Sequence, residues 1–93
     1  MRVRYYIDPK TGMPHIYQHG VSEQEVEEVL ARPGESRSGS EGSQVTIGHT
    51  LSGRCLRVIY VPDPEIDSIF VVTSYELRGK PLAAYRRRRR RRK

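Results

Sequence analysis

The chain has 93 residues, which is enough for one domain with a small core and too few for two. Apolar residues make up 35% of it and charged residues 30%, which excludes long, fully buried elements. The sequence has neither the roughly 18 consecutive apolar residues of a membrane span nor the pattern of a signal peptide. Its single cysteine, Cys55, cannot form an internal disulfide and is interpreted as a small core residue. We therefore expect a cytoplasmic protein that is held together by packing and has no membrane partner.

The net charge of +6 comes from the C-terminus. The last eight residues carry eight of the 17 basic side chains, so residues 1–85 hold nine basic residues against 11 acidic ones, a net charge of −2. We therefore divide the chain into a single domain, residues 1–85, and a polybasic tail, residues 86–93. Guanidinium groups bind phosphates through paired hydrogen bonds and counterion release, so the tail favours nucleic acid; an acidic protein surface and a solubilising role are the alternatives. The tail residues predicted to bind nucleic acid are Arg86, Arg87, Arg88, Arg89, Arg90, Arg91, Arg92 and Lys93.

Local patterns predict a strand, a turn and a helix in the first third of the chain. Residues 3–7 are β-branched and aromatic, and residues 8–12 have turn chemistry. Residues 15–17 fit either a second strand or a helical turn. A helix of about ten residues is predicted after Ser22, because Ser22 can cap it while Glu25 reaches back to the cap. Pro33 and Gly34 end this helix.

The pattern of the rest of the chain predicts a meander of strands followed by a basic helix. Residues 35–43 lack an apolar anchor, which predicts a mobile loop. Strands are predicted over residues 44–49, 54–61 and 68–75, joined by turns of hairpin length. A loop over residues 76–80 then leads to Pro81, which suits the first turn of a short helix running into the arginines. The expected fold class is α+β: one main helix packed on a three- to four-stranded antiparallel sheet, with a short basic C-terminal helix or tail.

The motifs of cofactor enzymes are missing from the sequence. It has no glycine-rich phosphate loop, no GxSxG motif and no paired cysteines, so no cofactor is expected. His15 and His19 are four residues apart, but Gly20 favours a turn over a metal-binding helix, so no metal site is expected. Cleavage of RNA by its own 2′-hydroxyl needs only a base, an acid and cations around the phosphate. Side chains of those types are His19, His49, Arg54, Tyr75, Glu76, Arg78, Lys80 and Tyr85.

The order of four segments resembles the BrnT-type toxins. Positions 19–26 read His-Gly-Val-Ser-Glu-Gln-Glu-Val, 47–50 read Ile-Gly-His-Thr, 53–60 read Gly-Arg-Cys-Leu-Arg-Val-Ile-Tyr and 71–74 read Val-Val-Thr-Ser. These segments are similar to the family's "KHGVS" helix start, its "IGxTxxGRxLxVVY" stretch and its "IISAR" strand, and the resemblance covers about residues 15–85. The chain is equally similar to a related group of small uncharacterised bacterial proteins that share the "GxSxEEVEEVL" helix.

This resemblance implies a RelE-like fold and a ribonuclease directed at the ribosome or at mRNA. It also implies RNA or the ribosome as a partner, together with a ribbon-helix-helix antitoxin encoded beside the toxin. Two cations of the family pattern are absent: Gln18 replaces a lysine, and Ser74 is followed by Tyr75 and Glu76 in place of Ala-Arg. Arg54 matches the family's Gly-Arg, and Arg78 and Lys80 could restore charge from the loop. A catalytically inactive homologue is therefore an alternative.

Hairpin geometry predicts where a phosphate-handling site would lie. In an antiparallel pair joined by the turn at residues 62–67, Arg54 comes close to Tyr75 and Glu76. The predicted catalytic residues are Arg54, His49, Tyr75 and Glu76, with Arg78 and Lys80 added to the nucleic-acid-binding set. In this prediction Arg54 stabilises the phosphate, His49 or Glu76 is the base, and Tyr75 or Tyr85 is the acid. The alternatives are an Arg54 that only pairs with a carboxylate and a non-enzymatic RNA- or protein-binding module.

Overall fold

The protein is a mixed β-sheet with one helix on each face, in a computed structural model that describes residues 2–91. The helices are α1 (Glu23–Ala31) and α2 (Gly79–Arg91). The strands are β1 (Arg2–Tyr5), β2 (Glu35–Ser38), β3 (Gln44–His49), β4 (Cys55–Asp63) and β5 (Ser68–Glu76). The predicted α+β class is confirmed in this general form. No helix within residues 2–91 has the length and apolar character needed to cross a membrane.

Helix α1 begins as its sequence predicts. The Ser22 hydroxyl accepts a hydrogen bond from the Glu25 N–H at 3.1 Å, and the Glu25 carboxylate accepts one from the Ser22 N–H, also at 3.1 Å. This capping box satisfies two backbone donors that would otherwise have no partner at the helix start. Val26 and Val29 are fully buried, so α1 packs an apolar stripe on the sheet.

The sheet has five strands in the order β1-β5-β4-β3-β2. The β3, β4 and β5 meander is antiparallel, as predicted, whereas β1 pairs with β5 in parallel. The expected purely antiparallel sheet of three or four strands is therefore wrong. The predicted loop at residues 35–43 is also wrong in its first half, because β2 pairs with β3 there and a short 3-10 turn (Ser40–Gly42) follows. The segment left open, residues 15–17, forms part of a 3-10 turn (His15–His19) that contacts β5.

Side-chain alternation along the strands creates two cores. On one face, Leu56 and Val58 pack with Ile69, Val71 and the valines of α1. On the other face, Ile47, Cys55 and Leu77 surround Tyr85 of α2. We call the first the α1 face and the second the α2 face. The sheet therefore separates candidate side chains on the α1 face from those on the α2 face.

Candidate functional site

Arg54 lies at the edge of the α1 face inside a network of carboxylates. Its Nη1 donates to both oxygens of Glu25, at 2.8 and 2.7 Å, and to the Gly20 carbonyl at 3.1 Å. Its Nη2 lies 3.4 Å from Oε1 of Glu76, which also accepts from Arg78 at 3.1 Å. The predicted proximity of Arg54 and Glu76 is therefore present. However, the guanidinium links the N-terminal cap of α1 to the end of β5. This arrangement fits the alternative in which Arg54 only pairs with carboxylates.

The Arg54 network makes stability sensitive to acid. Burial alone would raise the pKa of Glu25, but the Ser22 N–H and the Arg54 guanidinium outweigh it and hold the pKa below its ordinary value of 4.5. A carboxylate with a lowered folded-state pKa adds stability above its unfolded pKa and loses it as the pH falls through the folded value. We expect the unfolding free energy to fall by about 1 kcal/mol from this source between neutral pH and about pH 3.

Urea unfolding at the two pH values measures this loss. Glu25→Gln removes the titrating group, so its pH dependence should be shallower than that of the wild type. Glu65→Gln is the matched control, since Glu65 is an exposed glutamate outside the network. Identical pH dependence in the wild type and the Glu25 variant would contradict the assignment.

Tyr75 lies on the α2 face, although it is the neighbour of Glu76 in β5. It is the register partner of Arg57 in β4, and Arg57 is in turn the partner of Ile47 in β3. The Arg57 Nη1 donates to the Tyr75 hydroxyl at 3.1 Å, and the Arg57 Cζ lies 5.8 Å from the centre of the Tyr75 ring. Tyr75 therefore contacts Arg57, while Arg54 is held on the α1 face.

The predicted base His49 and the predicted acid Tyr85 lie together on the α2 face. His49 is exposed, and its ring centre is 6.0 Å from that of Tyr85. Tyr85 is only 1% exposed, and burial raises the pKa of its phenol. A phenol with so little exposed surface cannot reach a substrate beside Arg54, so Tyr85 is a packing residue in this arrangement.

The predicted cationic residues divide into two groups. Arg88 forms a two-pronged ion pair with Glu35, at 2.6 and 2.9 Å, and Arg89 donates to the Gly34 carbonyl at 2.8 Å. These two arginines fasten α2 to the loop before β2. The remaining predicted cations that are exposed and have no carboxylate partner among residues 2–91 are Lys80, Arg86, Arg87, Arg90 and Arg91. Arg92 and Lys93 lie outside the described residues.

Arg57 differs from Arg54 in its surroundings. Within residues 2–91 no carboxylate lies at ion-pair distance from Arg57, and its buried Nε has no hydrogen-bond partner. The Tyr75 ring beside it contacts the exposed His19, with 6.0 Å between ring centres. The Tyr75 side chain thus contacts both a guanidinium and an imidazole. We call Arg57, Tyr75 and His19 the Arg57 cluster.

The Arg57 cluster continues into a second histidine and an aspartate. The His15 ring centre is 5.1 Å from that of His19, and the His15 Nδ1 lies 3.4 Å from Asp8 Oδ2. The hydrogen bond from the Lys10 N–H is the largest influence on the pKa of Asp8 and, with the His15 and Gln18 contacts, lowers it. An ionised Asp8 can orient the His15 ring, which in turn packs against His19.

Charge is segregated between the two faces of the sheet. Helix α1 carries four glutamates and no basic residue. On the α2 face, strand register places four arginines and two acidic residues. One of the two acids, Glu35, is bound by Arg88. Those residues are Arg2, Arg4, Arg37, Arg57, Glu35 and Asp63. The exposed arginines of α2 add positive charge on this face, so electrostatics favour an anion on the α2 face over the α1 face.

The sequence did not single out Arg57 as a candidate site residue. The only signal was that Arg57 is the one charged residue among Cys55, Ile59 and Val61, which alternate on the same side of the strand. Its pairing with Tyr75 depends on the register of β4 and β5, which the structure supplies.

Within the described part of the chain, no group of three His, Cys, Asp or Glu side chains is placed to hold a metal ion. The comparisons with known proteins found no matching family model, curated protein or solved structure.

Proposed function

We propose that the protein is the RNA-directed toxin of a two-gene toxin–antitoxin pair, and that it cleaves RNA without a metal on its α2 face. The observation that carries this proposal is Arg57, a cation on the sheet with no carboxylate partner in the described chain, stacked on Tyr75 beside an arginine-rich helix. The resemblance of the sequence to the BrnT-type toxins supports the same class of activity.

The surface around Arg57 suits single-stranded RNA. Sequence-independent binding of single strands combines a positively charged groove with aromatic rings on which bases stack. Beside Arg57, the α2 face presents Tyr75 and a partly exposed Phe70, whose ring lies 5.5 Å from the Arg4 Cζ. Helix α2 covers only one end of this face, since Val45, Ile59 and Thr73 further along are partly exposed.

The Arg57 cluster contains the groups needed for attack by the RNA 2′-hydroxyl. His19 is the base that accepts the hydroxyl proton, because its imidazole is exposed and lies against the Tyr75 ring. Arg57 stabilises the charge that builds on the phosphate oxygens. Tyr75, already hydrogen-bonded to Arg57, donates a proton to the leaving 5′-oxygen. No metal is needed for any of these roles.

The exposed arginines of α2 are expected to supply most of the RNA affinity. Replacing Arg86, Arg87, Arg90 and Arg91 with glutamine should weaken binding strongly, while Arg88 and Arg89 still hold α2 in place. On a log-log plot of affinity against salt, the slope should become shallower by up to about 3, or roughly 0.7 for each lost phosphate contact. Fluorescence anisotropy with a short single-stranded RNA measures both quantities.

Lys10→Gln is the control for this variant, because it removes an exposed cation that lies outside the surface. It should leave the slope unchanged. Unchanged affinity of the four-arginine variant at low salt would contradict the RNA-binding role of α2.

Expression in a bacterial host tests the proposed activity itself. We expect growth arrest with RNA fragmentation, relieved by co-expression of the protein encoded in the adjacent reading frame. Intact RNA and normal growth on overexpression would reject the toxin and favour the second candidate, a non-enzymatic module that binds RNA or protein. One observation supports that candidate. Arg54, which matches the Gly-Arg of the BrnT-type pattern, forms ion pairs with Glu25 and Glu76.

A further inference from the structure

A cleft separate from the Arg57 cluster opens between the end of α1, the turn between β3 and β4, and α2. Its volume is about 440 Å³, within the roughly 300–1,000 Å³ typical of small-molecule sites. Arg57, Tyr75 and His19 do not line it. Residues that do include Arg32, Pro33, His49, Leu51, Tyr85 and Arg89.

The cleft is positively charged. The Arg32 side chain has no hydrogen-bond or ion-pair partner among residues 2–91, and Arg89 uses its Nη1 on the Gly34 carbonyl. One acid, Glu28, also lines the cleft. Its two oxygens are already occupied, Oε1 by the Leu51 N–H at 2.9 Å and Oε2 by Gln24 at 3.1 Å. Two guanidinium groups thus border the cleft and still have unused N–H donors. The Glu28 carboxylate is already hydrogen-bonded within the protein.

The walls of the cleft are partly apolar. Leu51 is 76% exposed and lines the cleft together with Pro33. The exposed His49 ring packs near Tyr85 and offers a flat surface. A ligand that fits must therefore join an anionic group to a flat or apolar one.

We propose that this cleft binds a nucleoside monophosphate group. Guanidinium groups pair with phosphate oxygens through two parallel hydrogen bonds, which assigns the phosphate to Arg32 and Arg89. The base lies against His49 and Leu51. The group has two sources, a free mononucleotide or the 5′-phosphorylated end of an RNA, and binding of the free mononucleotide does not depend on the proposed toxin activity.

Calorimetric titration of the full chain with AMP tests the site. We expect saturable binding, and Arg32→Gln should weaken it at least about tenfold, the loss typical of a charge-assisted donor. His49→Ala should also weaken it, by removing the flat surface. Arg37→Gln is the control, because Arg37 is an exposed arginine outside the cleft, and it should bind AMP like the wild type.

Two further probes identify the chemistry and the source. Adenosine, which lacks the phosphate, should bind at least about tenfold more weakly than AMP. A trinucleotide with a 5′-phosphate that binds more tightly than AMP points to an RNA end, and one that binds more weakly points to a free mononucleotide. The proposal is overturned if AMP does not bind, if adenosine binds equally well, or if Arg32→Gln and Arg37→Gln have the same effect.

Discussion

Replacing Arg57 with alanine is expected to lower the rate of RNA cleavage by about 100-fold or more while the protein stays folded. Removing one preorganised donor to developing phosphate or oxyanion charge typically costs a factor of this size. The fold should survive because, within residues 2–91, Arg57 is bound to Tyr75 alone, and a partly buried cation–π contact contributes about 0.5–2 kcal/mol. Cleavage of free and ribosome-bound RNA, together with thermal melting, measures both effects.

Arg54→Ala is the matched control for this prediction. It removes an arginine with two carboxylate partners, so the melting temperature should fall while the Arg57 cluster keeps its groups. Arg57→Lys keeps the charge and loses the paired geometry, so its activity should fall between the wild type and alanine. Full activity in Arg57→Ala, or a loss of cleavage in Arg54→Ala at an unchanged melting temperature, would show that the site lies on the other face.

Gly34→Ala is expected to destabilise the protein by about 1–3 kcal/mol through overpacking. A Cβ at this position would overlap the Tyr85 hydroxyl oxygen and lie 3.1 Å from the Ile47 carbonyl oxygen. Gly34 cannot move away easily, because its N–H donates to that same carbonyl at 2.9 Å. Chemical denaturation should therefore show a lower midpoint.

Tyr85→Phe supplies the control, since it removes the oxygen that the added Cβ would meet. In the Tyr85→Phe background, the cost of Gly34→Ala should be clearly smaller, and the difference is the coupling energy of a double-mutant cycle. An equal cost of Gly34→Ala in both backgrounds would mean that α2 does not pack against the loop before β2 as described.

The elements predictable from the sequence are those fixed by neighbours along the chain. The start of α1 depends on Ser22 and Glu25, three residues apart, and the β3–β5 meander follows from alternating apolar residues and short turns. Both signals are local, so both are readable without the tertiary structure.

The outer strands were not predictable because long-range pairing creates them. Strand β2 has the sequence Glu-Ser-Arg-Ser, with low strand propensity, and is extended because it pairs with β3. Strand β1 was expected as a strand, but its parallel partner β5 lies more than sixty positions away in the chain. Propensity cannot identify such a partner or its direction.

The contacts predicted around Arg54 are present only in part. Hairpin geometry correctly brought Arg54 near Glu76, but consecutive residues in a strand point to opposite faces. Tyr75 and Glu76 therefore could not both join Arg54, and Tyr75 joins Arg57 on the α2 face. The contact between His19 and Tyr75 was also hidden, since the 3-10 turn that carries His19 had no decisive local signal.

Photocrosslinking of a single-stranded RNA containing 4-thiouridine, with the linked residues located by mass spectrometry, tests most directly whether RNA occupies the α2 face. We expect crosslinks at Tyr75, at His19 and along α2, all reduced by Arg57→Ala and by the four-arginine α2 variant. Crosslinks confined to α1 and the residues packed beside it, such as Tyr5 and Tyr17, would contradict it.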